Sequence, residues 1–166
     1  AKTREALLMA DQLVRDYPHF ALAQLVLGDL LSTQTRPIKS MGDIPEATHR
    51  AAPGVLVELR EESLLRLKAL RERPPAGLVP SQFVRLSSQN KHAIAVDASR
   101  SRLYLFANTP TGMRLLADHY ISVGKLGTEK ALEGDLRTPV GVYFITNTYK
   151  RKNLKDFYGA GALPIN

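Results

Sequence analysis

Apolar residues recur at helical spacing through the first part of the chain. Leu7, Ala10, Val14 and Tyr17 form one stripe, and Leu22, Leu25, Val26 and Leu30 form another. Between them Pro18 interrupts a continuous helix, because its ring clashes with the preceding turn and its nitrogen has no proton to donate. The pattern predicts a helical hairpin over 4–16 and 20–32. Residues 33–54 carry Pro37, Pro45 and Pro53 with Gly42 and Gly54 and show no periodicity, which predicts a long loop. A third helix is predicted over 55–71, where Leu56, Leu59, Leu64, Leu67 and Leu70 are interleaved with Glu58, Arg60, Glu61, Glu62, Arg66 and Lys68. Pro74, Pro75, Gly77 and Pro80 cannot continue that helix, so a domain boundary is expected at about 73–82, with a linker over 74–90.

Beyond the boundary the period becomes two, with β-branched and aromatic residues between turn signals. Strands are predicted over 92–97, 102–107, 115–124 and 140–147. The turn signals at 98–101 and 108–112 make consecutive antiparallel hairpins the economical topology. Leu103 and Leu105 oppose Tyr104 and Phe106 across one candidate strand, and Tyr143 and Ile145 oppose Val142 and Phe144 across another. Bulk on both sides is the signature of a sheet covered on both faces. The expected fold class is α+β, with a helical region over 1–73 and an antiparallel β-rich domain over 91–166.

Composition narrows the function classes. The 166 residues suit about one domain plus an appendage, and a compact chain of this size buries about two-thirds of its unfolded surface. With 44% hydrophobic and 23% charged residues, disorder throughout is excluded. There is no cysteine, which excludes a disulfide scaffold, a thiolate zinc site and a cysteine nucleophile among these residues. No apolar run reaches the roughly 18 residues of a membrane-spanning helix. The net charge of +7 is unevenly placed: residues 1–72 hold 10 basic against 10 acidic side chains, and residues 73–166 hold 13 against 6. The whole excess therefore belongs to the second part, so the two parts are expected to meet different partners.

Motifs for cofactor and metal chemistry are missing. A phosphate-binding loop ending at Gly124-Lys125 needs a glycine where His119 stands, and no Gly-x-Gly-x-x-Gly follows a predicted strand. His19, His49, His92 and His119 are scattered singly, so no metal and no cofactor is expected. No Gly-x-Ser-x-Gly elbow is present. Lys150-Arg151-Lys152 with Lys155, flanked by Tyr149, Phe157 and Tyr158, is the best nucleic-acid candidate, but the same charge suits an anionic cell-wall polymer, and no nucleic-acid partner is expected. The helical hairpin resembles a single tetratricopeptide-type unit. One copy cannot form a solenoid, so it reads as a cap or spacer, with a groove for a protein partner as the alternative.

Four stretches carry a more specific resemblance: His92-Ala-Ile-Ala-Val-Asp97, Leu103-Tyr-Leu-Phe106, Tyr120-Ile-Ser-Val-Gly124-Lys125, and Gly134-x-x-x-Thr138-Pro139-x-Gly141-x-Tyr143-x-Ile145. Together they resemble the first half of a YkuD-type L,D-transpeptidase catalytic domain, over residues 91–166. In physical terms, Pro139 restricts Thr138 to extended backbone and withholds a donor from the sheet, while Gly141 lets backbone approach closely where the next strand begins. Loop-to-strand geometry alone is one reading of these residues, and a wall of a substrate groove is the other.

The resemblance implies a β-rich fold and acyl transfer between peptidoglycan stem peptides, through a cysteine thiolate assisted by a histidine. It also implies export to the bacterial periplasm or cell envelope, with no signal in this chain. The residues it nominates for the groove are Gly124, Lys125, Thr138, Pro139 and Gly141, with Tyr158 and Gly159 behind them, as shape rather than chemistry. The family's His-Gly and Ser-x-Gly-Cys motifs lie downstream of the stretch resembling 157–166, so no catalytic residue is assigned here and an incomplete scaffold, part of a longer polypeptide, is expected. The alternatives are a non-catalytic peptidoglycan-binding module and a hydrolase or amidase on the same fold.

Overall fold

The computed structural model describes residues 2–43, 53–83, 85–155 and 159–166. They form an α+β mixture of three α-helices and antiparallel sheets, divided into two compact units, Ala1–Ile121 and Ser122–Asn166. No helix among the described residues is long and apolar enough to cross a membrane.

In the first unit, α1 (Lys2–Asp16) packs on α2 (Ala21–Ser32), with Ala10, Leu22 and Ala23 buried. Small residues at the contact let two helices approach closely. Tyr17, expected on the buried stripe, is 62% exposed, because α1 ends at Asp16 and the side chain falls off the helical period. The chain after α2 is a loop over 33–43, as its composition suggests, and side-chain bonds hold it in place. Asp29 is buried in α2, and its carboxylate accepts from the Gly42 and Asp43 amides at 2.7 and 3.2 Å. Arg36 pairs with Asp43 at 2.6 Å, and the Lys39 amide also donates to Asp43. That guanidinium, followed by the Lys39 amide, holds the Asp43 carboxyl below its ordinary value. Gly42 sits at φ +68, and a Cβ there would meet Leu56 at 2.5 Å, so the turn requires glycine. Residues 44–52 of the predicted loop lie outside the described residues.

Helix α3 (Pro53–Arg71) presents a different face from the one its leucines suggest. Leu56 and Ala69 are buried, whereas Leu64, Leu67 and Leu70 are exposed. The contacts run instead through long polar side chains on the opposite stripe. Arg60 donates to the Met41 and Gly42 carbonyls at 2.8 and 3.2 Å. The Arg66 guanidinium lies 5.3 Å from the Phe20 ring centre and 4.5 Å from that of Tyr120, and it also bonds Glu62, which accepts from the Tyr120 hydroxyl. Stacked, hydrogen-bonded arginine can fill an interface that leucine periodicity would assign to aliphatics.

The sheet consists of β1 (His92–Asp97), β2 (Arg102–Thr109) and β3 (Gly112–Tyr120), paired antiparallel in the order β1-β2-β3. The second hairpin closes on a two-residue turn, with Thr109 opposite Gly112, so β2 runs longer and β3 starts earlier and ends earlier than the sequence pattern predicts. Arg102, Tyr104 and Phe106 form the buried face of β2, while Leu103 and Leu105 are half-buried, so the two faces are not equally covered. Arg102 is 3% exposed, donates to the Ala69 carbonyl at 3.0 Å and pairs with Asp118, which Arg73 approaches at 3.3 Å. A cation at the C-terminal end of α3 also meets the negative end of the helix dipole. Burial pushes the Tyr104 hydroxyl upward in pKa, and that oxygen has no hydrogen-bond partner among the described residues.

The proline-rich stretch expected as a linker is fastened to this sheet. Phe83 meets Phe106 edge-on at 5.7 Å, and Asn108 donates to the Ser87 and Asn90 carbonyls at 3.0 and 2.9 Å. The compact unit therefore continues across 73–82 and closes at Ile121.

In the second unit, β4 (Tyr149–Lys150) pairs antiparallel with β5 (Gly161–Ala162), and a short 3-10 turn, Arg151–Asn153, follows β4. The strand predicted over 140–147 is not formed. Only Ile145 bridges to Ile165, helped by the Phe144 amide bonding the Asn166 side chain and the Thr146 amide bonding the Pro164 carbonyl. A strand exists only where a neighbour supplies its ladder, and Pro164 has no N–H to continue one. None of the described residues of this unit is buried, and Val142 is 89% exposed.

Candidate functional site

Four of the residues that the sequence nominates meet in one clasp of the second unit. The Gly124 amide donates to the Thr138 hydroxyl oxygen at 2.7 Å, the Thr138 amide to the Gly127 carbonyl at 2.9 Å, and the Leu126 amide to the Leu136 carbonyl at 3.1 Å. Lys125 lies within the tight turn that the Gly127 amide closes onto the Gly124 carbonyl at 2.8 Å, with Gly127 at φ +84. Pro139 follows Thr138 directly and supplies no donor, so the ladder stops there. The Thr138 oxygen is thus engaged in holding backbone, which makes it an architectural group.

The close approach of backbone that the sequence places at Gly141 falls at Gly124 instead. A Cβ on Gly124 would collide with the Leu136 carbonyl oxygen and lie 2.7 Å from the Arg137 Cα. At Gly141 it would meet only the Tyr143 ring at 3.1–3.2 Å, and that side chain can give way. Gly159 opens the turn before β5 at φ +64, on a different element from the clasp, and Tyr158 lies outside the described residues.

Asp135, which the sequence reading passed over, organises the far side of the clasp. Its carboxylate accepts from Lys130 Nζ at 2.7 Å and from the backbone amides of Ala131, Leu132 and Arg137 at 2.8, 3.1 and 3.0 Å. The Lys130 ammonium, then the Leu132 amide, hold this carboxyl far below its ordinary value. Next to it Leu136 stands at φ 57, a left-handed conformation that is rare for a bulky side chain and needs such bonding to persist. The signal that could have found it is an aspartate after a glycine and ahead of free amides, the usual side-chain-to-backbone turn.

A pH test follows. A carboxylate whose folded pKa is depressed supports its loop fully above the unfolded value, near 3.8, and loses that support as the pH falls below it. The amide NMR shifts of Ala131, Leu132 and Arg137 should therefore stay constant down to about pH 4 and move only on further acidification. Asp135→Asn should abolish the movement, and a titration at or above 3.8 in the unaltered protein would refute the assignment.

Elsewhere, an open hollow of about 280 Å³ in the first unit is lined by Gln24, Asp29, Arg36 and Asp43 among others, whose carboxylates are already bonded within the fold. His92 and His119 are exposed on β1 and β3, and no three metal-ligating side chains gather among the described residues.

Set against protein-family models, curated proteins and solved structures, the chain matches none. The clasp therefore stands on its own geometry.

Proposed function

We propose that this chain is the groove-forming part of a peptidoglycan L,D-transpeptidase of the YkuD type, working in the periplasm or cell envelope of a bacterium. The observation that carries the reading is the bond from the Gly124 amide to the Thr138 hydroxyl. It joins the two separate stretches that bear the sequence resemblance, Ser122-Val-Gly124-Lys125 and Gly134-x-x-x-Thr138-Pro139-x-Gly141, into one wall. In this reading Gly124, Lys125, Thr138 and Pro139 shape the floor on which an extended stem peptide lies, and Asp135 sets the loop that backs it.

The chemistry implied is acyl transfer. A thiolate attacks an amide carbonyl of the donor stem, the terminal D-amino acid leaves as its amine, and the amine of a second stem then displaces the thiolate. The 166 residues contain no cysteine, so the nucleophile of this reading is not among them. The same absence favours, as a second reading, a non-catalytic module that holds stem peptides without cutting them.

Binding of a purified disaccharide-tetrapeptide tests the proposal. The amide resonances of Gly124, Lys125, Thr138 and Gly141 should shift together on titration, with no acyl adduct and no released amino acid. Shifts confined to the first unit, or none at millimolar ligand, would overturn the groove. A covalent adduct on these residues would overturn the thiolate. Transfer and hydrolysis separate by product analysis with the thiol-bearing protein, where cross-linked dimers support the transferase and trimmed monomers support a hydrolase.

A further inference from the structure

Between Thr138 and Lys155 the second unit has four cations, Lys150, Arg151, Lys152 and Lys155, and no carboxylate in the sequence. All four are exposed, and none has an ion pair or side-chain hydrogen bond with a described residue. By contrast, Arg15, Arg36, Arg66, Arg73, Arg100, Arg102 and Lys130 each pair with a carboxylate. The ribbon is thus a run of four exposed cations with no acidic side chain between them over 138–155.

The backbone gathers these charges. Lys150 is extended at the end of β4, and the 3-10 turn then places Arg151 and Lys152 on successive positions of a helix with about three residues per turn. The opposite side of the ribbon, Gly159-Ala-Gly-Ala162, carries no side chain larger than a methyl, and a Cβ on Gly161 would press on the Tyr149 carbonyl at 2.9 Å. Among the described residues, nothing bulky on that side shields the cations from a long ligand. Tyr149 is the one described aromatic beside them, too few for a run of stacked bases, whereas charge alone suffices for a polymer without bases.

We infer that this ribbon is a docking site for a linear polyanion bearing phosphate or carboxylate groups on successive repeats, as anionic wall polymers do. Lys150, Lys152 and Lys155 act as point charges, and Arg151 adds a planar fork that matches either oxyanion. The site is separate from the clasp and does not rest on acyl transfer, so either proposal can fail without the other.

The test uses the 166-residue chain with fluorescent polyphosphate and poly-L-glutamate across a salt series, with single-stranded DNA as a third arm. The triple variant Lys150→Gln/Arg151→Gln/Lys152→Gln should bind at least about tenfold more weakly and lose about three units of salt slope. A charge-matched control in the first unit, Lys2→Gln/Arg4→Gln/Lys68→Gln, should change affinity less than twofold, and the exchange Lys150→Arg/Lys152→Arg should restore binding. Preference between the first two polymers identifies the oxyanion. Equal losses in ribbon and control variants, no binding of the unaltered chain at 50 mM salt, or a clear preference for DNA would each overturn the inference.

Discussion

Replacing Arg102 with leucine is expected to destabilise the first unit by about 3 kcal/mol, read as a lower urea midpoint at unchanged slope. The guanidinium is 3% exposed and serves two elements at once, donating to the Ala69 carbonyl of α3 and pairing with Asp118 of β3. Its removal leaves a carboxylate that is only 18% exposed, with Arg73 as its remaining partner at 3.3 Å. That second cation keeps the loss at the lower end of what a severed buried pair incurs. Substituting both Arg102 and Asp118 with leucine should recover part of the loss, because the stranded charge goes with its partner. A single-variant effect below 1 kcal/mol would show that α3 and the sheet are held by other contacts.

A comparable effect is expected at Gly124. Alanine there drives a methyl into the Leu136 carbonyl and the Arg137 backbone, neither of which can rotate away. Overpacking against backbone costs about 2 kcal/mol, or roughly 30-fold in the opening equilibrium. The amides of Leu126 and Thr138, which bond across the clasp, should exchange with deuterium faster by about that factor. Gly141→Ala is the internal comparison: its added methyl meets only the Tyr143 ring, so exchange at the same amides should change less than threefold. If the two variants behave alike, the clasp does not depend on close backbone approach.

The two glycines show how far the sequence could be read. Periodicity placed three helices and the first two strands within a few residues, since both signals come from the chain's own spacing. The face that α3 buries was not legible, because Arg60 and Arg66 contribute packing through stacking and carbonyl contacts that a hydrophobic pattern scores as solvent-facing. The stretch 140–147 alternates like a strand but lacks a ladder partner over most of its length, and pairing is a property of two segments rather than one. At the candidate groove the motif residues were visible, yet their bonding was not. Which glycine faces backbone depends on where Leu136 turns left-handed, and that turn depends on Asp135.

The fastening of the proline-rich stretch bears on how the protein can be divided. A cut after residue 90, where the expected linker ends, looks natural from composition, but it would pull Phe83 away from Phe106, strip Asn108 of its two carbonyl acceptors and separate Arg102 from the helix end it grips. A sheet released there would carry a naked aromatic and an orphaned cation on its inner side. What composition marks as a seam is, in the folded molecule, a weld.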